Sequence, residues 1–176
     1  PHFMLELIQN DNNSLILLLD LLPRKDTVLD PSYLNRYYEE MDLEKARDAL
    51  DKIPQSKIYV PSSLYVRSLV SPTAMLYKFK PFSDPTTELN NAGKVEDLDV
   101  LVNNVICPLS MEVFFKWLHA FKHRGVKVYG DESRTLLERD TIIKKKGIEI
   151  DLRSNMPRLF GHDITNRVIQ AYRNGI

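Results

Sequence analysis

Two apolar runs open the chain. Residues 3–9 (FMLELIQ) and 14–22 (SLILLLDLL) are separated by Asn10-Asp11-Asn12-Asn13, and a polar Asn/Asp cluster between two such runs predicts a β-hairpin. Asp30 followed by Pro31 predicts a capped helix start running through Tyr37 and Tyr38. Over about 42–52, Leu43, Ala46, Ala49, Leu50 and Ile53 fall on one helical face, and Pro54 ends the helix. Pro72 divides residues 62–80, and AMLYKFK beyond it alternates as a strand does. The Pro-, Ser-, Asp- and Asn-rich stretch 81–93 reads as a loop. From Val95 to Phe121 the apolar spacing turns helical (Leu98, Leu101, Val102, Val105, Phe114, Trp117, Leu118, Phe121), with Pro108 placed to kink or split the helix. A further helix over 131–146 ends in Lys144-Lys145-Lys146, charges favourable at a helix C-terminus. IEIDL then alternates as a short strand, and 162–173 reads as a last helix capped by Asp163 or Thr165. The order predicts an α/β fold in one domain, residues 1–176, without internal repeats.

Charge and cysteine usage narrow the function classes. The 24 basic and 24 acidic residues cancel, so the basic excess expected of a nucleic-acid binder is missing. No apolar run in this reading approaches the roughly 20 residues that span a bilayer. Cys107 is the only cysteine, which excludes an internal disulfide and cysteine-held zinc or iron–sulfur centres. Redox chemistry here would need an external electron source or a non-covalently bound cofactor. The chain begins without an initiator Met, a signal peptide or an amphipathic transit segment, and its first residues are already core-like, so it reads as a fragment or processed product.

Three acids stand in apolar surroundings. Glu6 lies between Leu5 and Leu7, on the strand face of Met4 and Ile8. Desolvation there would favour the protonated carboxyl, the form a general acid requires, although a solvent-facing or Arg-paired Glu6 fits the pattern as well. Asp20 within LLLDLL and Asp151 within IEIDL pose the same question, with a solvated strand face or a turn cap as the alternative. His119 and His123 have the spacing of two ligands on one helix face, but no HExxH glutamate accompanies them and their surroundings are basic, so no metal site is expected. None of the six glycines sits in a nucleotide-cradling pattern. Lys122, His123, Arg124 and Lys127, with Lys144 to Lys146, form either a docking patch for an acidic partner or ordinary surface charge.

ELIQ at 6–9, LLDLLPRKDTVLDPSYL at 18–34, SLYVRSLVSPTA at 63–74 and KKKGIEIDLRSNMPRLFG at 144–161 together resemble the plant red chlorophyll catabolite reductases, a family placed with the ferredoxin-dependent bilin reductases. The resemblance runs in the family's order over nearly the whole chain and is weaker over 81–130. It implies an α-β-α sandwich around a central antiparallel sheet, incomplete at the N-terminus because the family has further strands and helices before the position of Pro1. It also implies reduction of red chlorophyll catabolite, an open-chain tetrapyrrole, to the primary fluorescent catabolite. Reduced ferredoxin would be the electron donor, with no bound flavin, metal or nicotinamide.

The family's two catalytic acids fall on Glu6 and Asp151, and its variable pocket residue falls on Val70, whose size would set how the flat substrate lies and which epimer forms. A homodimer is implied, in the chloroplast stroma or at the thylakoid within a chlorophyll-degradation complex. The competing reading is a non-catalytic tetrapyrrole-binding or scaffold protein of that complex. Truncation favours the second reading; retention of both acids favours the first.

Overall fold

The computed structural model describes residues 1–11, 14–80 and 98–174. The opening hairpin forms as the pattern predicts. Strand β1 (His2–Asp11) pairs antiparallel with β2 (Ser14–Leu22), in register from His2 opposite Leu22 to Gln9 opposite Leu15; Asn12 and Asn13 lie outside the described residues. The AMLYKFK stretch supplies β4 (Met75–Phe79), antiparallel to β2 on its other side. A three-residue strand that the sequence did not signal, β3 (Ser56–Ile58), completes the sheet in the order β1-β2-β4-β3. The mixed α/β class and the antiparallel sheet are therefore as expected.

Strand β2 is buried along its whole length, which explains an unbroken apolar run rather than an alternation. Its odd positions, Leu15, Leu17, Leu19 and Leu21, share one core with Met75, Tyr77 and Phe79 of β4. Its even positions, Ile16, Leu18, Asp20 and Leu22, are buried on the opposite face.

The described residues gather into two compact units. The first comprises the described residues within 1–60 and 71–126, the second those within 61–70 and 127–176. In the first, Asp30 caps α1 (Pro31–Leu34) by accepting the Tyr33 N–H at 2.9 Å and the Ser32 hydroxyl at 2.7 Å. A wide turn, Asn35–Glu39, follows, and within it Tyr38 donates its hydroxyl to the Leu21 carbonyl at 2.6 Å. Helix α2 (Leu43–Asp51) buries Leu43 and Leu50 as predicted.

The long helical stretch runs as α4 (Leu98–Leu101), a wide π turn (Val102–Ile106) and α5 (Cys107–His123). Pro108 explains the division. Without an N–H it cannot close the regular ladder, and the widened turn ahead of it absorbs the defect. The expected loop 81–93 lies outside the described residues. Contrary to the sequence reading, Leu98–His123 is long and apolar enough, by length and composition, to cross a bilayer. Its Leu101, Ile106, Val113 and Ala120 belong to the core of the first unit, whereas Met111, Phe115 and Phe121 are exposed. Phe3 meets Phe114 and Trp117 at ring distances of 5.3 and 5.7 Å, and the Trp117 indole donates to the Pro1 carbonyl, fixing the start of β1 on α5.

The second unit holds α3 (Leu64–Leu69), α6 (Gly130–Ile142), a wide turn (Ile143–Ile148) and α7 (Glu149–Asn174). Here the sequence reading is corrected: IEIDL is not a strand but the start of α7, and the helix expected to stop at Lys146 continues through the wide turn into it. Two pairs at helical spacing explain the outcome. Glu149 accepts from Arg153 at 3.1 Å and Asp151 accepts from Asn155 at 2.9 Å, both i to i+4. Acids in a first helical turn are also favoured by the helix dipole.

Helix α7 is not straight. Gly161 takes φ 78° and ψ 165°, a conformation open essentially to glycine alone. A straight helix would place Glu149 and Arg173 about 36 Å apart. They are in contact at 2.9 Å, so the chain doubles back at Gly161. Thr165 donates its hydroxyl to the Gly161 carbonyl at 2.7 Å, a backward bond rather than the predicted N-cap.

Candidate functional site

Glu6 stands at the middle of β1 in the first unit. It is half-buried, as are Met4 and Ile8 of the same face, whereas Leu5 and Leu7 are 43% and 44% exposed. The buried Leu18 lies opposite Glu6, and Asp20 lies opposite Met4. Glu6 and Asp20 therefore occupy one face of the hairpin as diagonal neighbours, a relation that places the residues roughly 7–8 Å apart. The sequence flagged both acids; only the register brings them together.

Asp20 is neither on a solvated face nor at a turn. Its side chain is 2% exposed, and both carboxylate oxygens are occupied. Oδ2 accepts the Ser71 N–H at 2.6 Å, and Oδ1 accepts the Ser71 hydroxyl at 2.5 Å and the Leu21 N–H at 2.8 Å. Burial pushes the carboxyl above its usual range, and the bonds from Ser71 and Leu21 pull it back only in part.

The second unit holds two acids, two residues apart, whose carboxyls are shifted in opposite directions. Arg173 grips Glu149 with Nε at 2.9 Å and Nη2 at 2.5 Å, and Arg153 adds a third bond. The Arg173 bonds above all hold the Glu149 carboxyl down at about 2. Asp151 is pushed the other way by desolvation, opposed by the amide of Asn155. Val70 is half-buried at the C-terminus of α3, with φ −65° and ψ 148°. Helix α3 packs on the 143–148 turn and on α7, so Val70 and Asp151 belong to neighbouring elements of one unit.

The depressed carboxyl of Glu149 carries a pH prediction. A folded-state value below the ordinary value of 4.5 contributes stability that is present above that pH and lost as pH falls toward about 2. Protection of α7 amides from exchange is expected to decline between about pH 4.5 and 2, and an Arg173→Met variant should flatten that decline.

The rings of His119 and His123 lie tilted against each other with centroids 4.6 Å apart, and among the described residues no third His, Cys, Asp or Glu gathers with them as a metal-holding group. In the basic cluster, Arg124 is committed to Glu40 and to the Arg36 carbonyl, tying the end of α5 to the wide turn after α1. Lys144 lies over the Tyr172 ring at 5.4 Å. Several residues that organise these acids escaped the sequence reading. Ser71 and Asn155 carry no signal beyond a Ser-Pro turn and an i, i+4 spacing, and Arg173 is 24 positions from the acid it grips.

Residues 1–174 match the family model described as red chlorophyll catabolite reductase. The chain is similar to the red chlorophyll catabolite reductase of Hordeum vulgare, 34% identical over 173 residues that cover 98% of this chain and 80% of that protein. It is 36% identical over 169 residues to the chloroplastic red chlorophyll catabolite reductase 1 of Oryza sativa subsp. japonica, and 39% identical over 176 residues to the chloroplastic enzyme of Arabidopsis thaliana. It spans 49% and 52% of those two relatives' lengths.

Proposed function

Since this chain belongs to the red chlorophyll catabolite reductase family, we propose that it reduces red chlorophyll catabolite to the primary fluorescent catabolite in the chloroplast, with reduced ferredoxin as electron donor and no bound cofactor. Two reduced ferredoxins each give up one electron and are oxidised. Two protons join those electrons, so that one carbon–carbon double bond of the tetrapyrrole gains two C–H bonds. Each added electron makes the substrate more basic, and a positioned carboxylic acid then decides which carbon and which face is protonated. Glu6 and Asp151 are the proposed donors, and Val70 the pocket residue that sets how the substrate lies. The same reading makes the protein a homodimer that associates with a thylakoid degradation complex.

The observation that carries this reading is the match of residues 1–174 to the family model, with an acid present at Asp151. Its desolvated carboxyl is biased toward the protonated form, while neighbouring Glu149 is locked as a carboxylate by Arg173. The test supplies red chlorophyll catabolite, ferredoxin and a reducing system under low oxygen and follows the appearance of blue fluorescence. Tight binding without turnover would replace the reading by that of a pigment-binding protein, and failure to bind would overturn both.

A sign follows for the pH profile. Asn155 stabilises the charged form of Asp151, so Asn155→Ala should raise the Asp151 value further. The alkaline limb of kcat/KM is expected to move to higher pH in that variant. A limb that stays in place would remove Asp151 from the proton-donating role.

A further inference from the structure

We infer that Asp20 is a positioning residue for the substrate pocket, fixing from within the sheet the backbone that immediately follows Val70. The inference rests on the proposed reading of Val70 as a pocket residue.

A carboxylate at the centre of a strand whose neighbours are Leu18, Leu19, Leu21 and Leu22 is an unfavourable choice for packing alone, because burying an acid is costly unless its oxygens are fully satisfied. Asp20 spends two of its three observed bonds on one distant residue, Ser71. The Ser71 N–H belongs to the peptide that begins at the Val70 carbonyl. Holding it at 2.6 Å restricts the last soft torsion of Val70, which sits at ψ 148°. The Ser71 hydroxyl also bonds to the Thr73 hydroxyl at 3.0 Å and accepts the Thr73 N–H at 3.2 Å, and the Ser71 carbonyl accepts the Ala74 N–H. The turn through Pro72 is thus closed around a single anchored serine.

Chain topology gives the anchor its purpose. The ten residues 61–70 leave the first unit and the chain returns to it at Ser71. The outgoing end is tied by the backbone, with the Tyr59 N–H on the Leu76 carbonyl at 2.9 Å. The returning end is tied by the Asp20 side chain, on the sheet face that also bears Glu6. Both oxygens of Asp20 are engaged and the residue is 2% exposed, so it acts through Ser71 and does not itself meet the substrate.

The experiment compares Asp20→Asn, Ser71→Ala and Val70→Phe with the unaltered chain in the ferredoxin-coupled assay, reading KM, kcat and the ratio of product epimers. If the chain binds without reducing, Kd for red chlorophyll catabolite, followed by its visible absorbance, is read instead. In Asp20→Asn the new amide nitrogen cannot accept, so one backbone N–H, that of Ser71 or of Leu21, loses its partner. KM or Kd is expected to rise on the order of tenfold, the effect of one hydrogen bond, with a smaller fall in kcat and a more mixed epimer ratio. Ser71→Ala keeps the backbone bond and should shift the same quantities in the same direction by less. Should Asp20→Asn fail to fold, Ser71→Ala carries the test, and a folded Ser71→Ala with unchanged affinity and epimer ratio overturns the proposal. A Val70→Phe that alters the epimer ratio beside a folded Asp20→Asn that alters nothing shows Asp20 to be merely structural. A Val70→Phe without effect overturns the pocket reading itself, and the inference with it.

Discussion

Glu6→Gln is expected to lower turnover of red chlorophyll catabolite by roughly 10²–10⁴-fold while leaving its binding nearly unchanged, the range spanned by a positioned general acid. The substitution keeps side-chain volume and hydrogen-bonding capacity on a strand whose register is fixed from His2 to Gln9, so the fold should not respond. What disappears is the transferable proton. Asp151→Asn should fall in the same range. If the two acids serve successive protonations of one substrate, the double variant should be little slower than the slower single one, because effects on residues that work as a unit do not add. Single-turnover kinetics with reduced ferredoxin, alongside Kd, separates the chemical step from binding. A Glu6→Gln chain that retained full turnover would eliminate Glu6 as a donor.

Leu17→Ala should destabilise the first unit by about 2–5 kcal/mol, a large part of the roughly 5–15 kcal/mol that holds a domain folded. Leu17 is fully buried and lies opposite Leu7 on one side and Tyr77 on the other, so its removal opens a cavity where three strands meet. Tyr77 can do little to refill it, because its hydroxyl is tied to Asp51 at 2.6 Å. Leu5→Ala is the control. It removes the same side-chain atoms from a site that is 43% exposed and should cost about 1 kcal/mol, well below the Leu17→Ala loss. Urea denaturation of the two variants measures the difference. Equal midpoints would mean that β2 is not the centre of the core.

Legibility in the sequence followed the range of the interactions. The hairpin, the Asp30-Pro31 helix start, α2 and the strand after Pro72 are each set by residues within a few positions of one another, and each was readable. IEIDL was misread because alternation over five residues resembles a strand, whereas the pairs that make it helical, Glu149 with Arg153 and Asp151 with Asn155, reach beyond that window. The short β3 carries no apolar pattern and exists because β4 offers it an edge. Among the candidate acids, pattern marked Glu6, Asp20 and Asp151 alike. The partners of Asp20, and of Glu149 beside Asp151, are not revealed by spacing: Ser71 lies 51 positions from Asp20 and Arg173 lies 24 from Glu149.

The ten-residue excursion also constrains the order in which this protein can be made. Helix α3, within residues 61–70, packs on the 143–148 turn and on α7, elements synthesised later. At roughly 5–20 residues per second, α3 and Val70 leave the ribosome several seconds before those partners exist. The hairpin β1–β2 and strand β4, by contrast, are close in sequence and can pair early. Ser71 then finds Asp20 while the far end of its loop is still unclaimed. A chain stopped before Lys127 would carry that loop as an unpaired remnant, so no cut at a single point can release the two units as separate, complete bodies.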